Sequence, residues 1–201
     1  MSLCQTPGKK IISCSLELFA VEGTKSVSIR DICAQVGIKE SSVYYHFKNK
    51  QAIIDELYAR FERRAMELMA ELDSALASGA KAERGSFLNV CAEYFDSYLC
   101  DAFCNRVLRL LTIEQLSDRP ARALYRRWLF DEPLSYQTRV FAALTGRSDA
   151  SYLAVQFYAP IYLYAQRWLL TGTLSEGDKA AFRADAYRHV RKFFSSLTAR
   201  L

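Results

Sequence analysis

Apolar residues recur at intervals of three and four along most of the chain, and nowhere do they alternate with the period of two that marks a half-buried strand. The pattern predicts an all-α protein. Ile11, Ser15, Leu18 and Phe19 share one face of a first helix over 9–22, closed by Gly23. Ser28 followed by Asp31 is a capping-box start for a second helix, with Ile29, Ile32, Cys33 and Val36 on its apolar side and Gly37 at its end. A short third helix is expected from 39 or 40 to about 47. Val43 and Phe47, about 40° apart on the wheel, define its buried side. Asn49 then caps a long helix from 50 to about 76, carrying Ile53, Ile54, Leu57, Phe61, Met66, Leu68, Met69 and Leu72. Such a helix must leave the small N-terminal core and join a second one.

Beyond a loop at 79–85, Ser86 opens a helix bearing Phe87, Val90, Cys91, Tyr94, Phe95, Tyr98 and Leu99, and 105–116 gives another. Asp118, Arg119 and Pro120 start the next, proline suiting a first helical turn. Arg126 and Arg127 read as a solvated face, and Glu132-Pro133 restarts the helix after a break, to end at about 144. The stretch 149–170 is dense in large apolar groups and should bend at Pro160, which has no N–H for its own turn. Gly172 and Gly177 bracket a loop. The closing helix, 178–197, sets Phe182, Ala186, Val190, Phe193 and Leu197 on one stripe.

Two short helices joined by a glycine-containing turn form a helix-turn-helix (about 28–47 here), whose second helix enters the DNA major groove. On the wheel of that second helix Tyr45 falls opposite Val43 and Phe47. Ser41, Ser42 and Lys48 lie beside it, with Tyr44 and His46 on the flanks. Hydroxyls on this face can bond base edges or phosphates, and Lys48 and Lys50 supply the positive charge that sustains affinity for DNA. Ser28 and Lys39 complete the candidate contacts; Tyr44, His46 and Lys50 are expected on phosphates. Lys9 and Lys10, at the start of the first helix, are either further phosphate contacts or solvated.

The same residues carry a resemblance. Leu18-Phe19 followed by Gly23, Ile32 with Val36-Gly37, and Tyr44-x-His46-Phe47-x-Asn49-Lys50 resemble the N-terminal domain of the tetracycline-repressor (TetR) family of bacterial regulators. That family usually has Ser where Lys39 stands and Gly where Ser41 stands, so the recognition helix departs from it in its cap and in its closest backbone approach to DNA. The resemblance implies a DNA-binding domain over 1–50 and an effector-binding and dimerisation domain over 51–201. It also implies double-stranded operator DNA, a second copy of the chain and a small organic effector as partners. The dimer is expected through the last two helices, with Phe157, Ile161, Trp168, Phe182, Ala186, Val190, Phe193 and Leu197 at the interface. Cys91, Tyr94, Phe95, Tyr98, Tyr125, Trp128, Tyr158 and Tyr162 are candidates to line an effector pocket, although aromatics at helical spacing serve more often as plain core.

Composition adds bounds. With 201 residues, 51% hydrophobic and 24% charged, the chain reads as globular, and eight glycines with four prolines favour long helices. Of the net charge of +5, residues 1–50 hold three, seven Lys and Arg facing four Asp and Glu. The excess thus sits with the helix-turn-helix. Six cysteines form no C-x-x-C, and Cys100 and Cys104 are placed on one helical face at i, i+4; packed, reduced thiols are the expectation over a redox sensor or metal site. No nucleophile elbow, Walker or zincin motif occurs, so neither enzyme activity nor a cofactor is expected. The start MSLCQTPGKK lacks an apolar signal core, and no apolar run approaches membrane-spanning length, which points to the cytoplasm. The leading reading is a ligand-released transcriptional repressor; the alternative is an effector-independent DNA-binding protein whose C-terminal domain takes protein partners.

Overall fold

The computed structural model describes residues 6–77, 84–171 and 173–198, which are helices and their connections with no strand among them. Residues 1–5, residues 79–83 of the expected loop, and Gly172 lie outside the described residues. Helix α1 (Pro7–Ser26) starts two residues before the sequence pattern and passes Gly23, whose φ of 77° and ψ of 164° interrupt the helical path. Only glycine takes that backbone without strain. A Cβ at Gly23 would meet Ile113 Cγ2 at 3.1 Å and Glu114 Oε1 at 3.2 Å, so its bareness lets the chain press against a helix 90 residues away.

Helices α2 (Ile29–Val36) and α3 (Glu40–His46) complete a small head with α1. The capping box forms as expected: Asp31 N–H donates to Ser28 Oγ at 3.2 Å, and Ser28 N–H to Asp31 Oδ2 at 2.7 Å. Gly37, at φ 78° and ψ 40°, ends α2 in the left-handed region. Ile11, Phe19, Val27, Ile32 and Val43 fill the head's core, and Phe47 packs half-buried against it. Lys10 Nζ donates to the terminal Val36 carbonyl of α2 at 2.9 Å, which binds α1 to α2 and removes this lysine from the candidate phosphate contacts.

Helix α4 (Lys50–Ala77), capped by Asn49 Oδ1 on Ala52 N–H at 2.9 Å, runs from the head into the body. Ile53, Leu57, Phe61 and Leu68 are buried along it; Met66, expected on the apolar side, is exposed. Helix α5 (Arg84–Tyr94) widens into a π-turn, Phe95–Leu99, and stops. Asp101 then caps α6 (Ala102–Glu114) through Cys104 N–H at 2.9 Å, three residues before the expected start. Cys100 and Cys104 therefore flank a break instead of sharing one helical face.

Helix α7 (Arg119–Arg126) begins on the Asp118 cap with proline in its first turn, as its sequence predicts. The break expected before Pro133 is absent. A second π-turn, Arg127–Asp131, carries the helix directly into α8 (Glu132–Thr145). Arg126 and Arg127 are exposed, as expected, and Arg127 pairs with Glu62 and Glu132, both at 3.1 Å. Helix α9 (Ala150–Leu169) continues through Pro160 and packs on α8 and on α10 (Glu176–Thr198). Among the described residues no helix is long and apolar enough to cross a membrane.

The residues assigned to the dimer interface need correction. Phe157, Ile161, Trp168, Phe182, Ala186, Val190 and Leu197 are all buried within this one chain. Phe193 packs on Phe141 and Phe157 at ring distances of 5.5 and 5.3 Å, and Trp168 stacks on Phe182 at 5.2 Å. These side chains are the core that joins α8, α9 and α10. The outward face of α9 instead presents Tyr152, Val155, Leu163 and Leu170, each between 48% and 74% exposed.

The second π-turn has a local cause with a long-range effect. Pro133 has no N–H to give the Leu129 carbonyl, and the Glu132 N–H bypasses Trp128 for the Arg127 carbonyl. Two buried tyrosines from other helices answer the freed carbonyls: Tyr98 donates to Trp128 O at 3.2 Å and Tyr158 to Leu129 O at 3.0 Å. Burial pushes both phenols well above their ordinary pKa, so they remain donors. Tyr158→Phe should leave a buried carbonyl unpaired and cost about 1–3 kcal/mol in chemical denaturation. An exposed control on the head, Tyr45→Phe, should leave the midpoint unchanged.

Candidate nucleic-acid interface and internal cavity

Helix α3 is short, and its placement comes from its neighbours. Val43 is fully buried against the head core, and Arg30 of α2 pairs with Glu40 in the first turn of α3 at 3.1 Å. No side chain caps its start at Lys39, in keeping with the departure noted there. Around Val43 the helix presents Ser41, Ser42, Tyr44, Tyr45 and His46 to solvent, with Lys39 before it and Lys48 after. Tyr45 is 86% exposed, and its ring meets the His46 edge at 5.1 Å. His46 leans over the start of α1, where a Cβ on Gly8 would come within 3.5 Å of its Nδ1. The geometry thus gathers hydroxyls, an amphipathic ring and cations on one convex helix. That shape suits a major groove, in which hydroxyls and rings meet base edges and lysines meet phosphates.

Two candidates have other tasks. The Ser28 hydroxyl is held in the capping box, donating to Asp31 Oδ2 at 2.6 Å while it accepts from the Asp31 amide. Lys50 is half-buried, and its Nζ donates to Thr24 O at 2.7 Å and Val27 O at 2.8 Å. It stabilises the turn between α1 and α2 from the first residue of α4, which corrects its assignment to phosphate. The same turn is held from the other side. Glu114, 4% exposed at the end of α6, accepts at Oε1 from the Thr24 amide and hydroxyl, both at 2.7 Å, and at Oε2 from Ser117 at 3.2 Å. Burial would raise its pKa, but the Thr24 and Ser117 donors and nearby Lys25 outweigh that and hold it below the ordinary value.

In the body, a cavity lies among α4, α5, α8 and α9. Cys91, Tyr94, Phe95 and Tyr158 line it; the other four pocket candidates lie elsewhere. Tyr98 stacks on Phe61 in the core, Trp128 is buried beneath the Arg127 guanidinium, and the Tyr125 and Tyr162 hydroxyls bond one another at 3.0 Å beside Phe130. Sequence reasoning missed Met69, Leu72, Val90, Pro133, Tyr136, Gln137, Phe157 and Ile161 in the wall. Met69 and Leu72 were legible only as one more turn of the α4 stripe. Burial pushes the Cys91 thiol up to about 12 and the Cys100 thiol to about 11, and raises Cys104 further, so these are neutral packing groups.

Fold and surface together define a helix-turn-helix protein with an all-α body behind its head. Residues 11–57 match the family described as bacterial regulatory proteins, tetR family. The chain is 33% identical over 52 residues to the HTH-type transcriptional repressor KstR2 of Rhodococcus jostii, covering 26% of each protein. It is 30% identical over 69 residues to the HTH-type transcriptional regulator YerO of Bacillus subtilis, covering 34% of this chain and 24% of that one. The match thus spans about a quarter of these relatives' own length. The whole fold resembles a solved transcriptional regulator, TetR family, from Agrobacterium tumefaciens, with a TM-score of 0.63 over 92% of this chain and 96% of that one at 20% identity. Over its head, residues 11–57, the chain is similar to the tetR family.

The clamp on Thr24 should be measurable. Glu114→Ala leaves two donors of Thr24 unanswered in a part-buried site and should cost about 2–3 kcal/mol of stability. Because the native pKa is depressed below 4.5, the ionised carboxylate contributes stability above that value and loses it as the pH falls through the lower native one. The stability gap between wild type and Glu114→Gln should therefore narrow on acidification in that window. A constant gap down to the lowest pH at which both fold would exclude this role.

Proposed function

We propose that the protein is a cytoplasmic, dimeric transcriptional repressor that binds operator DNA through α3 and leaves it when a small organic molecule enters the cavity. Residues 1–50 serve as the DNA-binding domain and 51–201 as the effector-binding and dimerisation domain. The observation that carries the reading is the solvent face of α3, where Ser41, Ser42 and Tyr45 are exposed while Val43 fixes the helix from beneath. The name of KstR2, a repressor similar in this head, supports the direction of control.

Dimerisation follows from geometry on DNA. One helix-turn-helix reads only a few base pairs, and two half-sites on one face lie about 34–36 Å apart, which a two-fold dimer satisfies. The outward α9 stripe of Tyr152, Val155, Leu163 and Leu170 supplies an apolar surface for it, with the small Ala181 and Ala184 exposed on α10. Release follows from α4, which carries Met69 and Leu72 in the cavity wall and Lys50 beneath the head. A molecule that widens the cavity displaces α4 and alters the spacing of the two heads. Its effect is limited to its differential affinity for the two arrangements. The small free volume of the cavity, about 30 Å³, favours the alternative of an effector-independent regulator with protein partners. A body that takes up no small molecule while capturing a protein would establish that alternative.

Selection from a random double-stranded DNA library tests DNA reading directly. Enrichment of a symmetric site is expected; a selection that converges on nothing overturns the reading. On the selected site, Tyr45→Ala should change preference at particular base pairs by about 1–3 kcal/mol. Lys48→Ala should weaken all sequences alike and lower the salt slope by about one.

The interface has its own check. Leu163→Asp should turn the dimer into a monomer in sedimentation at micromolar concentration, because a carboxylate would have to lose its water in an apolar contact. A wild-type monomer would overturn the dimer, and a dimer that tolerates the substitution would place the contact elsewhere.

A further inference from the structure

The chemistry of the cavity wall narrows what it can hold. Among the described residues no Asp, Glu, Lys, Arg or His lines it. The thiol of Cys91 and the phenols of Tyr94, Tyr136 and Tyr158 are all raised by burial, so the wall is uncharged near neutral pH. An ionised ligand would lose its hydration and find no counter-charge, a penalty of several kcal/mol. The wall is also aromatic, with five rings from α5, α8 and α9. Its polar groups are partly committed: Tyr136 donates to Leu72 O at 3.4 Å and Tyr158 to Leu129 O. The Gln137 amide differs, because its Oε1 is buried with no hydrogen-bond partner. Buried acceptors are rarely left so, and an open one beside an apolar cavity awaits a donor.

We infer that the cavity is built for an uncharged aromatic molecule carrying one hydrogen-bond donor, which the buried Gln137 Oε1 accepts. The inference rests on the reading of the body as an effector domain and adds the ligand's class to it. As packed, the free volume of about 30 Å³ is that of one water, so the ring must displace the wall to enter. The parts in place to move are Met69 and Leu72 on α4 and Val90 on α5, side chains on separate helices. Entry of the ring and displacement of α4 are then one event.

Four probes of one scaffold test this on the full-length protein without DNA. Indole is neutral with a donor, 1-methylindole is neutral without one, indole-3-acetate is an anion and tryptamine a cation. In calorimetric titration, indole should bind at least tenfold more tightly than each of the other three. Gln137→Leu should bring indole and 1-methylindole to equal affinity, and Gln137→Met serves if that variant fails to fold. Equal binding of the charged probes, a donor preference that survives at position 137, or no binding of indole at millimolar concentration would each overturn the assignment. Operator affinity measured separately keeps the two readings apart. Indole that binds without releasing operator leaves the ligand class standing and overturns the switch, whereas release by a charged molecule does the reverse.

Discussion

The turn from Thr24 to Val27 carries α1 into α2, and its backbone is held from two sides by charged groups, Lys50 at the start of α4 and Glu114 in the body. Lys50 takes the carbonyls of Thr24 and Val27 from the first residue of α4, and Glu114 takes the Thr24 amide and hydroxyl from the last residue of α6. Charge-assisted hydrogen bonds of this kind are short and stronger than neutral ones. The contact is close at Gly23, whose positive φ suits glycine and where an added Cβ would make Ile113 and Glu114 give way by a few tenths of an ångström. Arg106 adds an ion pair with Glu17 at 3.5 Å further along the same two helices. The head is therefore braced against α6 as well as continuous with α4, and a displacement of either helix is felt at the turn that positions α2 and α3.

Pro133 organises the body in a comparable way. A proline inside a helical run frees carbonyls, and here the run widens into a π-turn instead of breaking, because tyrosines from α5 and α9 meet the freed groups. The wall of the cavity and the hydrogen bonds that hold α8 to α9 thus share one residue. Tyr158 serves both, its ring in the wall and its hydroxyl on Leu129. α6 has a similar reach, since the buried Arg109 bonds Asn105 at 2.8 Å and also the Thr173 carbonyl beyond α9. His189 bonds the Phe157 carbonyl at 2.8 Å and ties α10 to α9.

Much of this protein is written locally. Ser28 with Asp31, Gly37, Asn49, and Asp118 with Pro120 set helix ends through interactions spanning a few residues, and those ends stand where the sequence puts them. The face of α3 was legible for the same reason: seven residues with a single buried anchor leave only one orientation. Tertiary structure decided what two partners had to settle. Helix α9 is apolar on most sides, so its period shows that it is buried but not which face meets α10 and which meets solvent. Lys50 and Lys10 look like any lysine at a helix start until carbonyls from another segment are brought within 3 Å of them. The cavity is settled last of all, because a void belongs to no residue. It forms where α4, α5, α8 and α9 fail to fill the space between them, and periodicity records which side chains point inward, never what they leave empty.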